Sequence, residues 1–369
     1  MRLYSASRVL STSASQPNVA QNRKTGQYRV DLNRVHPLRN SMPLSSEGLL
    51  TVPGILSRYV RLENGARAHY MTAGETGPAV ILIHGGLAGS SGLAGWRLMM
   101  PFLAQNGFRV FAPDRPGYGF ADTREEYWPK HGWKSYTDYM RMFVDALCLD
   151  RFHMGGNSMG AQTSIYFMLN HPERVISAPL IATGGIGGFA GVPADKLVRS
   201  TTLRDAGPFD GTKESMFRML DAITYRKAAL VDDVLEMRSY AARIQLDSLA
   251  SAKLQAPPEN ASQAQWLKVA GRLSEIDTPA IYVHGLQDAS APVENAKMAE
   301  PLLPNIQFFY PNECGHQCQT DQPDMMNQVF LEFLRNGKVS RKTADWAGVS
   351  KSRPEIASLV EQASATAAG

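Results

Sequence analysis

Gly156-Asn157-Ser158-Met159-Gly160 is the stretch whose reading decides the fold. It has the G-x-S-x-G form of a tight turn that lifts a serine hydroxyl off the end of a strand, and it carries meaning only between a strand and a helix. Phe152-His153-Met154, just before it, is short and apolar enough for a buried strand, and residues 161–169 after it suit a helix. Such a turn strains the serine backbone, which is why only small residues fit two places to either side. The strain presents the hydroxyl at the sheet edge, with the N–H of Met159 and a helix N-terminus facing any negative charge that develops. A chain with 31 glycines also produces this pattern by accident, so its partners have to decide.

A serine hydroxyl is a poor nucleophile until a base takes its proton, and that base needs an orienting group. Downstream, Ala280-Ile281-Tyr282-Val283-His284-Gly285 reads as a buried strand running into a loop that carries Asp288. Ile306-Gln307-Phe308-Phe309-Tyr310 reads as the next strand, followed by Cys314-Gly315-His316. Both candidates sit just past strand C-termini, where open α/β sheets place their chemistry. Alone, Asp288 would be a turn residue and His316 a loop histidine. In the order serine, acid, histidine, at three strand ends, they read as a triad with Asp288 orienting His316 as general base for Ser158.

The remaining histidines fit other roles. His84 and His284 stand in His-Gly pairs at strand ends and support loop geometry, His171 precedes Pro172 at a helix end, and His36, His69, His131 and His153 have no partner pattern. Cys314 and Cys318 bracket His316, but no second Cys/His pair completes a metal site, so neither metal nor cofactor is expected. Val80-Ile81-Leu82-Ile83 is a continuous apolar strand ending in His84-Gly85-Gly86-Leu87-Ala88-Gly89. Glycines there let backbone N–H groups approach a substrate oxygen, so Gly86 with Met159 is the candidate oxyanion hole. No phosphate-loop spacing follows that strand.

Strands and helices alternate from about residue 59 to 334, predicting an α/β fold with a mostly parallel, doubly wound sheet. After the strand candidate Ala178-Pro179-Leu180-Ile181 comes a glycine-rich stretch and then nearly unbroken helical periodicity over 213–273. That predicts a helical lid, residues 184–273, inserted after the sixth strand of a core formed by 51–183 and 274–337. Met216, Met219, Leu220, Met237 and Leu246 read mostly as the lid's own core. Residues 1–50 form a leader whose first thirty positions carry only basic charges, Arg2, Arg8, Arg23, Lys24 and Arg29, with Met42 as an alternative start. A cytoplasmic protein is expected, or a mitochondrial one if that leader is a transit peptide. Residues 338–369 read as a loosely attached tail. The net charge of +4 is interspersed, which argues against nucleic-acid binding, and no apolar run spans a membrane. Three cysteines give no disulfide framework. A small-molecule substrate is the expected partner, and homo-oligomerisation stays open.

With elbow, triad order, glycine loop and helical insertion in place, the chain resembles the α/β-hydrolases. More narrowly it is similar to the meta-cleavage product hydrolases, which break carbon–carbon bonds in ring-opened aromatic catabolites. The likeness rests on Gly155-Gly156-Asn157-Ser158-Met159-Gly160, with asparagine before the serine, and on His84-Gly85-Gly86 followed by Gly89 and Trp96. It extends to Cys314-Gly315-His316 with Gln319, and to residues 214–238, which align without a gap and put Arg238 at the family's lid arginine. It covers about residues 58–334. The resemblance implies that Arg238 pairs with the carboxylate or enolate of a 2-hydroxy-6-oxo-dienoate, and that Asn157 either bonds the substrate's 2-oxygen or stabilises the elbow. Gln317 stands where the family has tryptophan and joins the candidate substrate contacts. That departure, with the inserted Gly92-Leu93-Ala94-Gly95 and the long segment 125–133, leaves a carboxylesterase or lactonase open, and after it a slow ligand sensor on a hydrolase scaffold.

Overall fold

Strands that are apolar at every position have to be covered on both faces. In the computed structural model, which describes residues 44–251 and 261–362, this is how the central strands lie. They are β1 (Leu56–Arg61), β2 (Arg67–Ala73), β3 (Ala79–Ile83), β4 (Arg109–Pro113), β5 (His153–Asn157), β6 (Ala178–Ile181), β7 (Ala280–Val283) and β8 (Ile306–Phe309). They form one sheet in the order β1-β2-β4-β3-β5-β6-β7-β8. β2 runs antiparallel to β1 and β4, and every pairing from β4 through β8 is parallel. The opening hairpin turns at Asn64-Gly65, where the asparagine side chain accepts the N–H of Ala66 at 3.0 Å.

The period-2 alternation of β3 splits its side chains between two cores. Val80 and Leu82 join Trp96, Leu103, Phe330 and Phe333 on one face, beneath the helices Met100–Gln105 and Pro323–Asn336. Ile81 and Ile83 join Met140, Phe143, Phe167 and Leu303 on the other, beneath Trp133–Ala146, Met159–Asn170 and Val293–Ala299. A sheet covered on both sides by its crossover helices is the doubly wound arrangement, and it leaves the C-terminal strand ends free to carry chemistry.

Between β6 and β7 the described residues hold helices and no strand, as the periodicity predicts. The near-continuous helix expected over 213–273 is broken, however, into Lys213–Asp221, Asp232–Ile244, Leu246–Ser251 and Ala261–Leu267. The physical reason for the break after Asp221 is visible: the N–H groups of Tyr225 and Arg226 go to the carboxylate of Asp321 instead of to helical carbonyls. Met216, Met219 and Leu220 pack with Ile223, Leu235 and Ala88, so they are core of this insertion, whereas Leu246 is exposed.

Three boundaries differ from expectation. Gly92–Trp96 is a helix, not a loop insertion, capped by Ser91 at the Ala94 N–H and by Asp114 at the Gly92 N–H. Leu49 and Leu50 are buried in the core, so the folded body reaches back to Leu44, before the expected edge at residue 51. The transit-peptide reading of the leader lies outside the described residues. Of the segment read as a loose tail, residues 338–362 are packed: Val349 bridges Phe309 and Val339 bridges Val360, with Ala344, Leu359 and Val360 buried. The apolar spacing is too sparse for the sequence to reveal this, because the segment packs as single residues rather than as a face. Among the described residues no helix is long and apolar enough to cross a membrane.

The packed C-terminal segment gives a direct test. Leu359→Ala is expected to cost about 2–5 kcal/mol, the usual range for truncating a buried leucine, read from urea unfolding midpoints at unchanged m-value. A loss near zero would return the segment to the status of a loose tail.

Candidate active site

Ser158 follows β5 directly and has φ 57° and ψ −121°, a backbone conformation that side-chain-bearing residues rarely adopt. Holding it there costs on the order of 1–3 kcal/mol, supplied by surroundings that allow nothing else. A Cβ on Gly156 would lie 2.3 Å from the carbonyl carbon of Gly160, and one on Gly160 would lie 2.0 Å from the carbonyl oxygen of Ile83. The elbow therefore requires glycine at both positions because strand, turn and helix touch backbone to backbone. The N–H of Ser158 is tied to Ile181 of β6 at 2.8 Å, which fixes the turn to the sheet.

Asp288 and His316, from the loops after β7 and β8, meet as the sequence order predicts. Nδ1 of His316 donates to Oδ2 of Asp288 at 2.7 Å. The other carboxylate oxygen accepts the N–H groups of Ser290 and Ala291 at 2.9 and 2.8 Å and the Ser290 hydroxyl at 3.1 Å, so the acid is fixed before it orients anything. Burial alone would raise the Asp288 carboxyl, but His316 and His284 hold it well below the usual carboxylate range. For His316, burial pushes the imidazole down, and the charge and hydrogen bond of Asp288 outweigh it, leaving its pKa above the ordinary histidine value of 6.5. With Nδ1 engaged, Nε2 is the nitrogen left for proton transfer. His284 lies close to the same carboxylate, with Nε2 at 3.3 Å from Oδ2, but donates to the carbonyl of Ala291 at 2.7 Å and so braces the loop.

The glycine loop after β3 lies against the elbow. A Cβ on Gly86 would fall 1.9 Å from the sulfur of Met159, and one on Gly85 would fall 3.5 Å from the Cβ of Ser158. Gly86 and Met159 are thus neighbours, and Met159 begins its helix, where the first N–H groups have no helical acceptor. Tyr118 donates to the carbonyl of Gly86 at 3.0 Å, and Arg115 donates to that of Gly85 at 2.7 Å, so the loop is braced from beneath. His84 completes the brace by accepting the N–H of Arg115 at 3.1 Å, and burial lowers its pKa to about 3, which keeps it neutral.

Asn157, Arg238 and Gln317 take different places. The Asn157 amide donates to the carbonyl of His316 at 2.9 Å, linking elbow and histidine loop directly. That favours the bracing role over contact with substrate. Arg238, on the helix Asp232–Ile244, is 2 % exposed and lies against the glycine loop, donating to Ser90 Oγ at 3.2 Å and to the carbonyl of Ala88 at 3.4 Å. Its Nε has no partner, and among the described residues no carboxylate forms an ion pair with it. Burial, helped by the charge of Arg97, lowers its pKa to about 9, which still leaves it a cation at neutral pH. Gln317 is buried and accepts the Thr320 hydroxyl at 3.4 Å, which turns it onto its own loop.

Some buried chemistry escaped the sequence. Arg97 is enclosed like Arg115 and Arg238, donating to the carbonyl of Ala94 at 3.0 Å, and nothing in Trp96-Arg97-Leu98 announces its burial. His69, which shows no partner pattern, pairs with buried Asp114 at 2.7 Å, and its Nε2 lies 3.0 Å from the Ser57 hydroxyl. This second Ser–His–Asp chain lies on the first strands of the sheet. Ser57 sits in an extended strand, with a Glu47 carboxylate oxygen 3.4 Å from its hydroxyl, where a developing oxyanion would be repelled.

Comparison with known proteins places the chain in a family. Residues 78–323, more than half of the chain, match the alpha/beta hydrolase fold family. The chain is 29% identical over 287 residues to a 2-hydroxy-6-oxononadienedioate/2-hydroxy-6-oxononatrienedioate hydrolase of Pseudomonas putida, covering 75% of this chain and 96% of that enzyme. It is 30% identical over 276 residues to a 2-hydroxy-6-oxo-6-phenylhexa-2,4-dienoate hydrolase of Burkholderia cepacia, covering 73% and 92%. Among solved structures, a meta-cleavage product hydrolase from Pseudomonas fluorescens superimposes with a TM-score of 0.63 at 26% identity, over 76% of this chain and 98% of that one.

The Asp288–His316 contact sets an expected titration. By NMR, His316 should titrate above 6.5, and Asp288→Asn should move it downward, because the anion that favours the imidazolium is gone. An unchanged or raised value in the variant would contradict the pairing.

Proposed function

The chain belongs to the α/β-hydrolase fold family, and on that premise we propose that it is a serine-dependent hydrolase that cleaves a carbon–carbon bond in a 2-hydroxy-6-oxo-dienoate. The observation that carries the substrate class is the buried guanidinium of Arg238 against the glycine loop, which has no ion-pair partner among the described residues. An enclosed cation without a counter-ion is costly, and an anionic ligand that neutralises it lowers that cost. The relatives that the chain resembles carry names of dienoate hydrolases, which supports the same class.

On this reading Arg238 binds the C1 carboxylate and the neighbouring 2-oxygen, and the 2-hydroxyl proton moves to C5, giving a ketone at C2. His316 then takes the Ser158 proton through Nε2 while Ser158 adds to the C6 carbonyl. The oxyanion is held by the N–H groups of Gly86 and Met159. Collapse of that adduct breaks the C5–C6 bond, and its electron pair passes from C5 into the C2 ketone to give a dienolate that receives the proton from His316. Water, deprotonated by the same histidine, hydrolyses the acyl-serine and releases a carboxylic acid. Asp288 keeps the imidazole in the required tautomer throughout. The helices between β6 and β7 serve as the lid that keeps bulk water from the dienolate.

The substrate reading is tested by comparing a phenyl-substituted dienoate with a neutral aryl acetate. Hydrogen bonds to charged groups contribute about 1.5–3 kcal/mol, so Arg238→Met should raise KM for the dienoate roughly 10- to 100-fold and leave the aryl acetate within about twofold. Equal losses on both substrates would remove Arg238 from carboxylate recognition and move the assignment toward esters or lactones.

A further inference from the structure

Asp321 is a buried carboxylate with no part in the chemistry described above. It is 0 % exposed, at the end of the short helix Cys318–Asp321 that follows the histidine loop. Its Oδ2 accepts the N–H of Gly315 at 2.7 Å and that of Tyr225 at 3.2 Å, and its Oδ1 accepts the N–H of Arg226 at 2.8 Å. Among the described residues no cation forms an ion pair with it, since the guanidinium of Arg226 reaches outward to Glu313 instead. Burial pushes its carboxyl up, and the three N–H groups only partly oppose this. Three convergent main-chain donors explain why a group that only accepts is needed at this point.

Those donors come from two parts of the chain. Gly315 immediately precedes His316, whereas Tyr225 and Arg226 belong to the break in the helical insertion. A return bond closes the seam, from the N–H of His316 to the carbonyl of Ile223 at 2.9 Å. The backbones are pressed so closely that a Cβ on Gly315 would lie 2.8 Å from that carbonyl oxygen and 3.1 Å from the Tyr225 nitrogen. His316 is therefore held on three sides: by Asp288 at its ring, by Asn157 at its carbonyl, and by the insertion at its N–H.

We propose that Asp321 is a positioning residue for His316, joining the helical insertion to the histidine loop so that the base is aligned only while the insertion is seated. This rests on the reading of His316 as the general base. The carboxylate acts through main-chain geometry: with it in place, a displacement of residues 223–226 carries Gly315 and His316 along. A misplacement of about 1 Å at a proton-transfer distance costs on the order of 10²-fold in rate.

The test uses Asp321→Asn, whose amide turns a donor toward one of the three N–H groups, and Arg226→Pro, which removes one donor at a residue whose φ of −86° lies near the range proline allows. Each variant is assayed on whichever substrate the wild type turns over, with the Nδ1 proton resonance of His316 recorded in parallel. Asp321→Asn should lower kcat about 10²-fold with KM changed less than threefold, and should shift that resonance. The two substitutions together should cost less than the product of their separate effects, because they remove a shared bond. A folded Asp321→Asn with kcat within twofold of wild type, or an unshifted resonance, would overturn the proposal. So would strict multiplicativity of the two variants. If the wild type turns over neither dienoate nor ester, the catalytic reading fails by itself, and the resonance alone decides whether Asp321 positions His316.

Discussion

Everything at this site depends on Ser158 being kept in a conformation it would not choose. Its φ of 57° survives because the strand before it, the helix after it and the neighbouring strands β3 and β6 leave no other path for the chain. The price of that strain is small beside the packing around it, since β5 and the Met159–Asn170 helix are almost wholly buried. What the strain gives is geometric: one turn delivers a hydroxyl, the first N–H of a helix and, through Asn157, a tether to the histidine loop. The candidate nucleophile, oxyanion donor and base are thus referred to one backbone position.

Electrostatics around that position divides into two regions. On the acid side Asp288 is fully satisfied, by His316 at one oxygen and by backbone and hydroxyl donors of its own turn at the other. On the side of the glycine loop, three guanidiniums, Arg97, Arg115 and Arg238, are enclosed without carboxylate partners among the described residues, and each leaves its Nε without an acceptor. A protein interior rarely tolerates that imbalance unless something arrives to offset it. On the proposed reading an anionic substrate offsets the asymmetry, whereas a neutral ester does not use it.

Much of this was legible in the sequence, for identifiable reasons. The strands read correctly because central parallel strands are apolar at every position, and Gly156 and Gly160 marked the elbow because backbone contact there excludes any side chain. Asp288 and His316 were legible through their order and their places after β7 and β8. The break at residues 222–231 was not, since it is set by Asp321, about a hundred residues away, taking N–H groups that local propensity assigns to a helix. The packed segment around Val349 and Val360 was hidden for the same reason: its partners, Phe309 and Val339, are tertiary. The His69–Asp114 pair joins β2 to the loop after β4 and leaves no spacing to read.

The most direct test of carbon–carbon cleavage mixes purified protein with 2-hydroxy-6-oxo-6-phenylhexa-2,4-dienoate and follows the loss of its visible absorbance beside the Ser158→Ala variant. The result predicted is rapid bleaching with benzoate formed by the wild type and a turnover lower by several orders of magnitude in the variant. Bleaching that survives Ser158→Ala, or a wild type that hydrolyses aryl esters while the dienoate colour persists, would contradict it.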